Sequence, residues 1–129
     1  MSSHAFPPLG VPAYFGPWER ASWSALLDAT PAVAVINPDT GPGRRRHAGY
    51  RPLVRRLQGR GTTVLGYVAT GWLRNHDWAE SAARHLRWYG VDGILWDEIP
   101  VDDVPVRAIR QLVDWSSAQQ CRAQAFNPG

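Results

Sequence analysis

VDGILWDE, residues 91–98, sets an apolar run between a glycine and a pair of acids. Apolar at every position from Ile94 to Trp96, the run suits a strand covered on both faces, as in parallel sheets, and it delivers Asp97 and Glu98 at its C-terminal end. Outward from this stretch the pattern repeats. Strand-like runs lie at Gly10 to Phe15, Val33 to Ile36 and Thr63 to Val68 on one side, and at Ala123 to Phe126, closed by Asn127-Pro128-Gly129, on the other. Amphipathic stretches separate them. Pro17 suits the first turn of a helix carrying Trp23, Leu26 and Leu27 on one side. Tyr50, Leu53, Val54 and Leu57 share a helical face, with Arg51, Arg55 and Arg56 turned outward and Gly59 and Gly61 closing the element. Asp77 as N-cap, with Glu80 three residues on, predicts a helix through Ala82, Leu86 and Tyr89 to Gly90. Pro105 opens a last helix with Ile109, Leu112, Val113 and Ser116 on one side. Five strands alternating with four helices predict an α/β protein with a parallel sheet. Two architectures fit: a parallel (β/α) barrel of TIM type of which the N-terminal part is present, and an open five-stranded doubly wound sheet. Size favours the open sheet, since a barrel takes about 250 residues and half of one exposes two strand edges.

Bulk properties narrow the partners. The 129 residues, 44% of them hydrophobic, predict a single domain over 1–129. No apolar run approaches the ~20 residues of a membrane helix, and MSSHAFPPLGVPAYF carries no leader pattern, which points by default to the cytoplasm or else to a chain whose leader has been removed. Cys121, the single cysteine, cannot form an internal disulfide and reads as a packed thiol. The net charge of +3 comes from 14 arginines with no lysine. Arg44, Arg45 and Arg46 form a basic loop, yet no stacking aromatics interleave with them, so no nucleic-acid partner is expected. His4, His47, His76 and His85 show no metal-ligand spacing with one another or with Cys121. His85 reads as a surface or boundary residue of its helix, and His76 as a loop residue at the ligand end. No strand leads into a dinucleotide fingerprint or a GK[ST] loop, and the phospho-receiver pattern of acids and a lysine is lacking. No cofactor is expected. Asp102 and Asp103, before Pro105, read as helix caps.

Polar residues gather at the C-terminal strand ends: Tyr14, Asn37, Thr70, Asp97 with Glu98, and Asn127. In parallel α/β folds ligands bind there. Side chains of successive strand residues alternate between faces, so one of Asp97 and Glu98 is expected to point into a site. Glycoside hydrolysis uses two carboxyl groups, about 5 to 5.5 Å apart for retention or about 6.5 to 9.5 Å for inversion. A second acid is therefore expected from another strand, and Asp39 is the nearest candidate. The competing reading of Asp97-Glu98 is a pair of solvated acids preceding a helix.

VPAYFGP at 11–17, VAVINPDTGPG at 33–43, VLGYVATGW at 64–72 with Arg74 beyond it, YGVDGILWDE at 89–98 and FNPG at 126–129 together resemble the successive blocks of spherulation-specific family 4, the spherulin-4-like proteins. The blocks run in family order across nearly the whole chain. The resemblance implies a (β/α)8 barrel, of which this chain is the N-terminal half, acting as a glycoside hydrolase of the endo-α-1,4-galactosaminidase type on galactosamine-containing polysaccharide. It also implies a further essential glutamate on the strands beyond. Carried over by position, the family's strand-four acids fall on Asp97, the first choice as acid-base or nucleophilic carboxylate, and Glu98, its orienting neighbour or the participant itself if the strand bulges. Asn37, Asp39, Thr70, Arg74 and Asn127 are expected to meet sugar hydroxyls or brace the acids. Tyr14, Tyr67 and Trp72 would offer flat faces to a pyranose, although Tyr67 is better suited to packing in the core. An oligosaccharide or polysaccharide partner follows, with a homodimer through the exposed sheet edges as the assembly to expect.

Overall fold

The structure, a computed structural model, describes residues 10–70, 75–99, 106–119 and 121–128. Five strands, β1 (Gly10–Ala13), β2 (Val33–Ile36), β3 (Thr63–Ala69), β4 (Gly93–Ile99) and β5 (Ala123–Pro128), pair in parallel in the order β1-β2-β3-β4-β5. A doubly wound sheet reverses direction at a switch point. This one never does, so each βα unit advances the same way, the winding of a TIM-type barrel, and the sheet is an open arc of one. The doubly wound alternative is set aside on that order.

Four helices connect the strands: α1 (Arg20–Ala29), α2 (Tyr50–Gly59), α3 (Asn75–Arg84) and α4 (Val106–Ala118). They form one layer. The main core combines Trp23, Leu26 and Leu27 of α1 with Val54 and Leu57 of α2 and the outward strand residues Ala34, Ile36, Val64, Val68, Ile94 and Trp96. The opposite sheet face carries a separate cluster, Val35, Leu65, Tyr67 and Ala69 with Val33, Leu95, Ala123 and Ala125, to which no helix residue contributes among the described residues. It corresponds to a barrel interior. Aromatic rings lock the helices down: Trp78 of α3, Trp96 of β4 and Trp115 of α4 meet edge to face at 5.4 to 6.0 Å. At the N-terminal end of the sheet, Asp92 Oδ2 accepts from the Val64 N–H at 2.8 Å and from Gln58 Nε2 at 3.2 Å, tying the foot of β4 to β3 and α2.

Several elements differ from their sequence reading. Helix α1 begins at Arg20 rather than at Pro17, because Gly16 to Glu19 close a turn of their own: the Glu19 N–H donates to the Gly16 carbonyl at 3.0 Å, and Glu19 Oε2 accepts the Gly16 N–H at 2.7 Å. Asp77 sits inside the first turn of α3 rather than at its N-cap, since the helix starts at Asn75. There it still faces the helix's positive end. Arg51, expected outward, is half-buried and donates to the Arg87 carbonyl at 3.0 Å. Val113 is exposed, because α4 docks through Trp115 and Ser116. His85, read as a surface residue, is fully buried. It opens a turn wound as a π-helix, His85–Tyr89, that continues α3. Ile109 and Leu112 lie outside the described side chains, and His4, Asp102, Asp103 and Pro105 outside the described residues. No described helix is long and apolar enough to cross a membrane.

Candidate active site

Strand β4 does not stop at Trp96. It runs to Ile99 and carries both acids inside it. Trp96 pairs with Phe126 and Ile99 with Pro128, so Asp97 and Glu98 together face the single residue Asn127, which is a β-bulge. Glu98 takes φ +56, a left-handed conformation that only glycine adopts readily. The bulge has a packing cause. Ile94, Trp96 and Ile99 all belong to the helix-side core, and an uninterrupted strand alternates faces and would turn Ile99 to the other side. The inserted residue returns Ile99 to the core, leaves Asp97 on the inner face, and makes Glu98 the additional member.

Asp97 is held by main chain and side chain alike. Its carbonyl accepts from the Thr70 N–H at 2.9 Å and from Thr70 Oγ1 at 3.0 Å. Its carboxylate accepts from Asn127 Nδ2 at 2.8 Å, from the Tyr67 hydroxyl, and from the Glu98 backbone N–H. Burial pushes the Asp97 pKa up, but these three donors outweigh it and hold the carboxyl below its usual range. The reverse effect appears on Tyr67, only 9% exposed: burial, the bond to Asp97, and the charges of Asp97, Glu98 and Tyr14 raise its pKa strongly, so it remains a proton donor. Tyr14 stands edge-on to Tyr67 at 5.9 Å and is 49% exposed. Its own pKa is raised by burial and by Asp97.

The remaining candidates divide. Asn37 Oδ1 accepts the Gly41 N–H and so braces the β2–α2 loop. Asp39 is exposed on that loop, where its charge acts on Tyr89 in the helix layer. Neither touches Asp97 among the described contacts. Trp72 and Arg74 lie outside the described residues, as does the side chain of His76. Sequence reasoning passed over Trp18, which is 79% exposed in the β1–α1 turn. Its indole lies over Gly16, where a Cβ would come within 2.3 Å of the ring; a surface tryptophan following Gly-Pro was the available signal. Arg44, Arg45 and Arg46 are exposed, and Cys121 is half-buried against the core. No group of three or more His, Cys, Asp or Glu among the described residues could hold a metal ion. The arrangement offers an ionised carboxylate, a second acid beside it, a phenol donor, an amide and an aromatic edge, all at the C-terminal rim of a parallel sheet.

The profile described as "Spherulation-specific family 4" matches residues 9–129. No curated protein matches the chain in sequence. Among solved structures, a noncanonic maltogenic alpha-amylase, AmyB, from Thermotoga neapolitana superposes with a TM-score of 0.59 at 13% identity, over 92% of this chain and 45% of that one. At that identity the likeness concerns the fold, which is of TIM-barrel type, and this chain spans less than half of the amylase.

Proposed function

Because the chain belongs to spherulation-specific family 4, we propose that it carries the strand-four carboxylates of a glycoside hydrolase acting on galactosamine-containing polysaccharide. The observation that supports this most is the triple hydrogen bonding of Asp97 at the sheet's C-terminal rim. A carboxylate so stabilised is poorly suited to give up a proton at neutral pH. Its chemistry is that of an anion: to attack the anomeric carbon, to take a proton from water, or to face an oxocarbenium-like transition state. The proton for the leaving oxygen then comes from a different acid, either Glu98 or a carboxyl on another strand. Asn127 and Tyr67 keep Asp97 aimed, and Thr70 fixes its backbone. Tyr14 presents an edge and a face to a sugar ring, Asn37 and Asp39 lie on the β2–α2 loop beyond β2, and the family resemblance assigns Trp72 and Arg74 to the neighbouring sugars as well.

A second reading has its own support. Asp97 and its neighbour Glu98 both come from β4, and no contact of Asp97 with an acid of another strand is seen among the described residues, while Asp39 acts on the helix layer. Such a site can bind carbohydrate without cleaving it. Reducing-end release from a galactosamine polymer separates the two. The hydrolase reading expects release by the unmodified chain and a loss of about a hundredfold or more in Asp97→Asn, with Glu98→Gln reporting whether Glu98 is the proton donor. Saturable binding of the oligosaccharide with no release favours the binding role, and neither release nor binding overturns both.

A further inference from the structure

The buried histidine that the site does not use stands directly behind it. His85 is fully buried, and its Nε2 lies 2.7 Å from the Tyr67 carbonyl oxygen. A carbonyl only accepts, so Nε2 carries the proton and Nδ1 is the bare nitrogen, buried without a partner. Burial keeps the ring neutral, pushing its pKa down to about 4 against the opposing pull of that hydrogen bond. The strand makes room for it. A Cβ on Gly66 would lie 2.3 Å from the imidazole Cγ, so the middle of β3 forgoes a side chain where the ring approaches. The π-wound turn that begins at His85 holds the ring there, in tilted contact with Tyr89 at 5.9 Å; such turns are frequent at functional sites. An apolar side chain would fill this space without stranding a nitrogen.

Tyr67 is therefore held from both sides of the sheet. Its carbonyl is bound from the helix layer, and its side chain reaches Asp97 and Tyr14 on the inner face. We propose that His85 is a positioning residue for Asp97: by binding the Tyr67 carbonyl through the gap at Gly66, it fixes the strand residue whose hydroxyl bonds the carboxylate. The proposal builds on the reading of Asp97 as the working carboxylate, but its test reads ionisation rather than turnover.

The test is a carboxyl NMR titration of Asp97 in the 129-residue chain and in four variants. His85→Leu fills the space without a donor, Gly66→Ala places a methyl where the ring lies, His85→Gln keeps an N–H within comparable reach, and Tyr67→Phe removes the hydroxyl. Asp97 is expected to titrate at higher pH in the Leu, Ala and Phe variants and close to the unmodified chain in the Gln variant. On the Tyr67→Phe background, His85→Leu is expected to add no further shift, since the two residues act in series. Where the Leu variant does not fold, His85→Asn replaces it, its side chain being too short to reach the carbonyl. An unchanged Asp97 titration in a folded Leu or Asn variant, or an undiminished effect of His85→Leu on the Phe background, overturns the proposal. Either result stands whether or not the chain releases reducing ends.

Discussion

Asp97 and His85 both have depressed pKa values in the folded protein, but they affect stability in different pH ranges. For His85 the folded chain stays unprotonated down to about pH 4, while the unfolded chain takes up its proton near 6.5. Stability is therefore expected to fall as pH drops from about 6.5 to 4, by on the order of 3 kcal/mol, and then to level. Denaturant unfolding at pH 7 and 4.5 measures this, and His85→Gln should flatten the slope. The Asp97 contribution is complete above the unfolded carboxyl value of about 3.9 and is lost as pH falls through the lower folded value. Asp97→Asn should remove that acid-side loss and leave the His85 slope intact. The histidine was legible in principle: it follows buried Ala82 by three residues and precedes buried Tyr89 by four, on the core stripe of the helix. Counting it as polar hid it, and so did passing over Gly66, a mid-strand glycine that marks a close approach.

At the scale of the element, the bulge in β4 yields a test in which glycine wins within a strand. Glu98 occupies a left-handed conformation that costs an L-residue about 1 to 2 kcal/mol. Glu98→Gly should therefore be more stable than Glu98→Ala by about that amount in thermal or denaturant unfolding. Both variants remove the carboxylate, so the difference isolates the backbone. Sequence periodicity placed all five strands and the helices between them, because their apolar runs and stripes are long enough to fix the period. It stopped β4 at Trp96, since two adjacent acids look like the start of a loop. The clue was Ile99, an apolar residue out of phase with Ile94 and Trp96, which a strand can bury only by inserting a residue. The ends of α1 and α3 were misread for another reason: Pro17 and Asp77 suit a helix start, but the Gly16–Glu19 turn and an earlier start at Asn75 took precedence.

Across the whole molecule, strand order was the part no local pattern could supply, because open and barrel-type windings share the same alternation of elements. The order β1 to β5 leaves Val35, Leu65 and their neighbours on a face that no described helix covers, and β1 and β5 as strand edges. The 129-residue chain is accordingly expected to self-associate with rising concentration in sedimentation velocity. Ala125→Glu, a charge placed on that face, should return it to the monomer without loss of helical signal, and a monomer at all concentrations refutes the expectation. The same architecture also carries its own optical reporter. Three indoles meet edge to face where α3 and α4 dock on β4, one residue from Asp97. Their coupled transitions in the near-ultraviolet circular dichroism should respond when either helix lifts from the sheet, so undocking beside the carboxylate can be followed without a label.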